Sequence, residues 1–271
     1  MSFRIGFATD NYEENFNETE YSDKRESIAP RKCIAEVYFS DRNITLSYYN
    51  DKFDLNCGDT VYVDGKMEGI RGCVTDVNYN FRIKVSDYKR IISVADTNVK
   101  GRFFFSGSHF ITFDRKALPA EKVTTWFWAP PTEDEEIVCS TDDSSFLLND
   151  LSSMKISHAI ADRGRDYYIR NKVRYICIDG KKGYAIISGS QTYEVDFEYH
   201  NGEISKLTCS CFCSYNCKHE FAAMLQLKDL LEIISKHHSA EYENTDYFAA
   251  IENCTFFSFA IDGKETGSFT L

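Results

Sequence analysis

The sequence lacks any apolar run that approaches the roughly 20 consecutive residues needed by a membrane-spanning helix. Its first residues, MSFRIGFATDNYEENF, lack the basic and then apolar layout of a secretory signal peptide. We therefore expect a cytoplasmic protein without a membrane partner.

Positive charge is also scarce. The chain has 31 Lys and Arg against 42 Asp and Glu, which gives a formal net charge of −11 at pH 7. Because nucleic-acid backbones are bound mainly through Lys and Arg that neutralise phosphates, this balance excludes a general nucleic-acid coat. Any nucleic-acid contact must be local.

Common catalytic motifs are missing as well. There is no Gly-x4-Gly-Lys-Ser/Thr phosphate loop, since GKETGS has the wrong order and spacing, and there is no Gly-x-Ser-x-Gly elbow or His-Glu-x-x-His run. His109, beside Ser106 and Ser108, is the loop histidine nearest to a catalytic pattern. We interpret it as a hairpin histidine without a chemical role, and we expect that the protein is not an enzyme.

The chain is long enough for two modest domains, because it has 271 residues of which 43% are hydrophobic. We expect an α+β protein with an acidic N-terminal segment (1–30), a small antiparallel β-barrel domain (31–129), an acidic linker (130–150) and a second folded domain (151–271). The linker opens on two prolines, which a central strand excludes, and continues with an acidic run that favours solvent.

The barrel is predicted from short β-like runs between CIAEVYF and IISVAD, which Asn, Asp and Gly turns separate. Within them, CGDTVYVDGKMEGIRGCVTDV resembles the glycine-punctuated pattern of small Tudor-like or KOW-like barrels, which implies contact with nucleic acid or protein. An aromatic segment follows, and it fits either a stacking surface for bases or, as we favour, a buried hairpin that closes the barrel. Its members are Phe103, Phe104, Phe105, Phe110, Trp126, Phe127 and Trp128.

The second domain is predicted to begin with a helix capped by Asp150 or Ser152. A meander of four strands follows, with the sequences VRYICID, GYAIIS, TYEVDFEY and ISKLTCSC. Residues 218–235 have the apolar spacing of an amphipathic helix. YFAAI and TFFSFAI close the chain, and we expect the second of them to be a strand.

The main chemical feature is the pattern Cys-x-Cys-x5-Cys-x-His, formed by Cys209, Cys211, Cys217 and His219. The first two cysteines lie at i and i+2 on a predicted strand, so their side chains leave the same face. Three thiolates and one imidazole are a complete tetrahedral ligand set for Zn²⁺ with no position left for water. The pattern therefore predicts a structural zinc site, and we expect the other cysteines to be reduced thiols.

Cys213 creates a second Cys-x-Cys pair with Cys211. We favour Cys209 with Cys211 as the ligand pair, because the alternative leaves only three residues for the return to Cys217. Lys206 and Lys218 are near enough in sequence to offset the negative charge of a zinc ion with three thiolates.

At these residues the sequence resembles a known family. TCSCFCSYNCKHEFAAML is similar to a SWIM zinc finger, and residues 161–199 are similar to the segment that precedes the finger in bacterial SWIM proteins. The resemblance covers about residues 160–230. It implies a bound zinc ion and a part in DNA or protein interaction, often beside a helicase of the Swi/Snf type.

Just ahead of the finger, seven basic residues outnumber three acidic ones and give a local charge of +4 between residues 162 and 182. This cluster predicts a nucleic-acid site, although ordinary solvated faces would have the same composition. The alternative function is a protein-interaction adaptor in which zinc only stabilises the fold. The candidate nucleic-acid contacts are Arg163, Arg165, Arg170, Lys172, Arg174, Lys181 and Lys182.

Overall fold

The computed structural model describes residues 30–130, 138–213 and 215–260. They fall into two compact units, divided in the sequence between Asp96 and Thr97. This boundary lies well before the predicted linker at 130–150, because residues 97–130 supply strands and a helix to the second unit. The predicted acidic segment lies outside the described residues apart from residue 30, and residues 131–137 of the predicted linker lie outside them too.

The first unit is a five-stranded antiparallel sheet with the order β2-β1-β4-β3-β5. Val37 and Phe39 of the first strand are fully buried and pack with Val61, Val63 and Val74 into a small apolar core. The strands are β1 (Cys33–Phe39), β2 (Ile44–Asn50), β3 (Thr60–Val63), β4 (Gly72–Asn78) and β5 (Ile91–Ala95).

The prediction of a closed barrel is wrong, because this sheet is open. Within residues 30–96, no ladder joins the edge strands β2 and β5, and a single parallel bridge links Tyr49 to Arg90. FRIKV, which was expected to be a strand, is largely exposed and irregular and ends in a 3-10 helix, Val85–Asp87. The closing strand is therefore missing, while the α+β class stands for the described residues.

The second unit is built on an eight-stranded antiparallel sheet with the order β6-β7-β13-β9-β10-β11-β12-β8. Five helices accompany it: α1 (Ala120–Phe127), α2 (His158–Ile169), α3 (Lys218–His237), α4 (Ser239–Thr245) and α5 (Asn253–Ala260). The strands are β6 (Phe104–Ser106), β7 (His109–Thr112), β8 (Ser145–Leu147), β9 (Val173–Asp179), β10 (Lys182–Ser188), β11 (Thr192–His200), β12 (Glu203–Cys209) and β13 (Tyr247–Glu252).

Helices cover both faces of this sheet. On one face α3 packs its apolar stripe against the meander β9–β12, so that Met224 and Leu227 share a core with Ile176 and Ile187. The opposite face is closed by the segment around α1, where the hydroxyl of Tyr175 donates to the carbonyl of Leu118 at 2.7 Å. Neighbouring residues of a strand point to opposite faces, so Tyr175 and Ile176 serve different layers.

Helix α2 lies against the beginning of α3 at a glycine. A Cβ atom at Gly164 would lie 2.8 Å from Cδ1 of Phe221 and 2.9 Å from the backbone oxygen of Lys218. These distances are shorter than ordinary van der Waals contact, so only glycine permits this approach. The contact fixes α2 beside the first turn of α3.

Three local predictions for the second unit need correction. The helix begins at His158 rather than near Asp150, because the Ser157 side chain accepts a hydrogen bond from the Ile160 amide and caps it there. The first six residues of TFFSFAI lie in helix α5 instead of a strand, and the last one lies outside the described residues. The aromatic hairpin is largely buried as we favoured, but it forms β6 and β7 of the eight-stranded sheet and closes no barrel.

Among the described helices, including the 20-residue α3, none combines the length and the apolar character that crossing a bilayer requires.

Candidate metal centre

Two chain segments bring four potential metal ligands to one point in the second unit. Cys209 ends β12 and Cys211 follows it, whereas Cys217 is the N-cap residue of α3 and His219 lies in the first turn of that helix. One ligand atom from each residue lies within 4.8 Å of all the others. We call Cys209, Cys211, Cys217 and His219 the Cys3His cluster.

The distances fit a tetrahedral ion. Nδ1 of His219 is 3.7 Å from the sulfur of Cys209 and 3.7 Å from the sulfur of Cys217. Around a tetrahedral zinc, a thiolate sulfur and an imidazole nitrogen lie about 3.6 Å apart, given their bond lengths of about 2.3 and about 2.0 Å. The two distances from His219 therefore match those around a tetrahedral metal ion.

The histidine ring is held by aromatic neighbours. It stacks on Tyr193 with a centroid separation of 4.0 Å and meets the ring of Tyr167 edge-on at 5.4 Å. His219 is only 3% exposed, and its Nε2 finds no hydrogen-bond partner among the described residues. These contacts fix the ring with Nδ1 towards the thiols. Nδ1 is therefore the ring nitrogen that can bind a metal ion.

Glu220 supports the cluster from the start of α3. Its carboxylate accepts a hydrogen bond of 2.7 Å from the backbone N–H of Cys217, in the arrangement of a capping box. Burial raises the pKa of Glu220 to about 8, and the neighbouring Cys217 sulfur adds to this effect. The side chain therefore orients the N-cap residue.

The thiols of Cys209 and Cys217 share a hydrogen bond that shifts the pKa of both. A hydrogen bond from Cys209 lowers the pKa of Cys217, and the same bond raises the pKa of Cys209. Burial raises the pKa of Cys211 to about 12. A bound cation would displace the remaining thiol protons, so metal binding at this cluster releases protons.

Cys213 lies outside the Cys3His cluster and is exposed, so the structure groups Cys209 with Cys211 as we favoured. The two lysines that were expected to offset the site's charge have different surroundings. Lys206 pairs with Glu198 at 2.7 Å, whereas Lys218 lies at 4.8 Å over the ring of Tyr167, the aromatic neighbour of His219.

The seven candidate nucleic-acid contacts do not form one patch. Lys172 precedes β9, whereas Lys181 and Lys182 follow it, and a seven-residue strand separates two such ends by roughly 20 Å. Arg174 forms an ion pair of 2.8 Å with the buried Glu252, and Arg170 pairs with Asp166 at 2.8 Å. Arg163 and Arg165 are exposed on α2. Whether any of them binds nucleic acid stays a prediction.

Sequence reasoning missed Glu220, Tyr167 and Tyr193 as supports of the cluster. Glu220 had a readable sign, because Cys-x-x-Glu at a helix start places the carboxylate as a capping box does. The two tyrosines reach His219 through tertiary packing from α2 and β11, which no local spacing reveals.

No known family model matches the chain, and no solved structure matches it significantly. The chain is 34% identical over 101 residues to Uncharacterized protein MJ1493 of Methanocaldococcus jannaschii. That stretch covers 37% of this chain and 36% of the relative, so the chain spans about a third of the relative's length in this comparison.

Proposed function

We propose that the Cys3His cluster binds one Zn²⁺ ion and that the chain is a non-catalytic binding module with a SWIM-like second unit. The observation that carries the proposal is the convergence of three sulfurs and one imidazole nitrogen within 4.8 Å. Soft thiolates with imidazole favour zinc over Mg²⁺ or Ca²⁺, which prefer oxygen ligands. The meander followed by the cluster and α3 has the order that the SWIM resemblance implies.

The role of the zinc ion is structural in this proposal. Four protein ligands complete a tetrahedral shell, whereas catalytic zinc keeps a position for water or substrate. The ligands come in pairs from the end of β12 and the start of α3. Zinc would therefore fasten the end of β12 to α3, the helix that packs on the core of the second unit.

For the partner we favour nucleic acid, preferably DNA. Gly164 faces α3, so Arg163 and Arg165 on either side of it flank the contact between α2 and the start of α3. The loop between Cys211 and Cys217 carries Phe212, which is 99% exposed, and Tyr215, which is 85% exposed. Exposed aromatic rings beside basic side chains are suited to stacking on bases.

The test is a fluorescence-anisotropy titration of the zinc-loaded protein against labelled single- and double-stranded DNA at two salt concentrations. We expect binding that weakens with salt and falls about tenfold or more in an Arg163→Glu, Arg165→Glu double variant. A Lys181→Glu, Lys182→Glu variant is the matched control, with the same change of charge at the other end of β9. Arg174 is unsuitable for substitution, because its loss would leave Glu252 unpaired.

The alternative is a protein-interaction adaptor in which zinc only stabilises the fold. Its partner in that case would be a helicase of the Swi/Snf type, as the SWIM resemblance implies. The net charge of −11 favours this alternative, because a negatively charged protein repels polyanions such as nucleic acid. The exposed side chains of Phe212 and Tyr215 could contact a protein equally well. Absence of DNA binding at low salt, where phosphate contacts are strongest, would overturn the nucleic-acid proposal and leave this one.

A further inference from the structure

A second site lies in the middle of the second unit, away from the Cys3His cluster. A pocket of about 210 Å³ opens between the turn that joins β6 to β7, the end of α2 and the middle of α3. Its volume is about seven times the ~30 Å³ that one water molecule takes up in the liquid, and it is smaller than the pockets of drug-sized ligands. It suits a small molecule or a single side chain.

The pocket is lined by a buried polar side chain. Gln226 is 5% exposed and lines the pocket from α3. Among the described residues, the side-chain hydrogen bonds at the pocket join Ser108 to His109 and Tyr168 to Asp229, and neither of them uses the Gln226 amide. The two polar atoms of the Gln226 side chain are therefore available to a ligand that enters the pocket.

The charge of the pocket is negative. Asp229 lies one turn after Gln226 on α3, and Tyr168 on α2 donates its hydroxyl hydrogen to the Asp229 carboxylate at 2.5 Å. Of the described residues that line the pocket, none is Lys or Arg. The C-terminal end of α2 lines it through Tyr168 and Ile169, and the helix dipole adds partial negative charge there.

His109 does not counter this charge. Its Nδ1 lies 3.0 Å from the Ser108 hydroxyl, and its Nε2 lies 3.0 Å from the carbonyl oxygen of Val173. A carbonyl oxygen only accepts hydrogen bonds, so Nε2 carries the hydrogen and donates to Val173, and Nδ1 of the neutral ring accepts from the Ser108 hydroxyl. Burial lowers the pKa of His109 below its ordinary value and favours the neutral ring, although the Val173 carbonyl and the carboxylates of Glu252 and Asp229 oppose that shift.

We propose that this pocket binds a primary ammonium group, held by the Asp229 carboxylate and the side-chain carbonyl of Gln226. An ammonium group has three donors and no acceptor, so it can donate both to the Asp229 carboxylate, which carries the negative charge of the pocket, and to the Gln226 side-chain carbonyl. The group can belong to a small free amine or to a lysine side chain of a partner. The proposal is independent of zinc and of DNA, because Gln226 lies about 10 Å along α3 from His219.

The experiment is an NMR titration of the ¹⁵N-labelled, zinc-loaded protein with n-butylammonium, with n-butanol as the neutral probe of similar shape. We expect saturable shifts of the Gln226, Asp229 and Ser108 amide signals with the amine only. A second arm compares a lysine-containing tripeptide with its Nε-acetylated form, and tighter binding of the peptide than of butylammonium identifies a protein lysine as the source.

Asp229→Asn is the decisive variant, because it removes the charge and keeps an oxygen that accepts from Tyr168. We expect about tenfold weaker butylammonium binding, and about fivefold weaker binding for Gln226→Leu. Glu232→Gln is the matched control, since it removes one carboxylate from the same helix outside the pocket. Equal binding of butanol, no binding of either amine, or unchanged affinity in Asp229→Asn would overturn the proposal.

Discussion

Cys217 combines two functions in one side chain, because it is the N-cap residue of α3 and a member of the Cys3His cluster. Serine is itself a favourable N-cap residue, so Cys217→Ser keeps the cap and removes the soft ligand. We expect this variant to lose zinc and to lower the melting temperature of the second unit by about 10 °C or more. Metal analysis by mass spectrometry and a thermal melt measure the two effects.

Cys213→Ser is the matched control for that prediction, because Cys213 lies in the same loop but outside the cluster. It should keep one zinc per chain and an unchanged melt. Loss of zinc from Cys213→Ser together with full occupancy in Cys217→Ser would show that the ligand assignment is wrong.

Glu252 illustrates a buried charge with a clear dependence on pH. Burial by itself would raise its pKa, but hydrogen bonds from Thr255 and Cys254 and the nearby Arg174 leave the pKa below its ordinary value of 4.5. A lowered folded-state pKa contributes stability above the ordinary value, and that stability is lost as pH falls through the folded-state value. The contribution should therefore shrink as the pH falls below 4.5 and vanish once the pH lies below the folded-state pKa.

Glu252→Gln should destabilise the second unit by about 2–3 kcal/mol at pH 7, because Arg174 loses its charged partner. The difference from the wild type should shrink as the pH is lowered below about 4.5, and denaturant melts across pH 3–7 measure it. Loss of zinc in acid affects both proteins and cancels in this difference. Glu232→Gln removes an exposed ion pair with Lys236, whose hydrogen bond also lowers the pKa of Glu232, so it should show the same trend at a much smaller amplitude.

Residue spacing alone was sufficient to propose the ligand set, because Cys-x-Cys at the end of a strand and Cys-x-His at the start of a helix are local patterns. The ring contacts of His219 and the pocket at Gln226 were not predictable. They depend on side chains from α2, β6–β7 and α3 that are distant in sequence. His109 was identified as a loop histidine with hydroxyl neighbours, and only the fold places it beside Gln226 and Asp229.

At the scale of elements, the contact between α2 and α3 depends on Gly164. Alanine has the better helix propensity by about 1 kcal/mol, so an exposed glycine replaced by alanine would stabilise a helix. Here the new Cβ would meet Phe221 and the Lys218 carbonyl at less than 3 Å. We expect Gly164→Ala to destabilise the second unit by about 1–3 kcal/mol in a denaturant melt.

Ala159→Gly calibrates this prediction, because Ala159 is exposed on the same helix and reports propensity alone. It should cost about 1 kcal/mol or less. A gain of stability in Gly164→Ala would mean that the two helices can move apart freely.

Elements with regular local patterns were predicted well. Strands β9 to β12 and helix α3 match their expected positions within a few residues, because alternating or helical apolar spacing coincides with burial. The strand expected at TFFSFAI is wrong for a tertiary reason. The buried Glu252 accepts hydrogen bonds from the Thr255 amide and hydroxyl and from the Cys254 amide, and these bonds start a helix that aromatic residues alone would not favour.

At the scale of the whole molecule, the domain boundary was placed too late because the aromatic hairpin was assigned to its neighbour in sequence. In the structure, β7 pairs with β13, so residue Phe110 lies opposite Ile251 across the sheet. β7 and β13 are far apart in the sequence, so local composition cannot predict that they pair. The described residues on both sides of the predicted linker's start belong to one unit, because β8 lies in the same sheet as β6 and β7.

The division into two units predicts how metal removal affects the chain. Treating the protein with a chelator should raise amide hydrogen exchange in β12 and the first turns of α3, where the cluster residues lie. Strands β1 to β5 belong to the other unit and should keep their protection. Exchange measured by mass spectrometry tests this expectation, and a uniform increase over both units would contradict it.

The position of β13 has a consequence for synthesis on the ribosome. All six of its residues are buried, and it separates β7 from β9 although it is the last strand of the sheet to be translated. Until Tyr247–Glu252 has left the exit tunnel, the facing edges of β7 and β9 have unpaired backbone groups. The nascent second unit therefore cannot complete its sheet before β13 is available. Until then its unpaired strand edges are exposed, and a chaperone that binds them would protect the chain from aggregation.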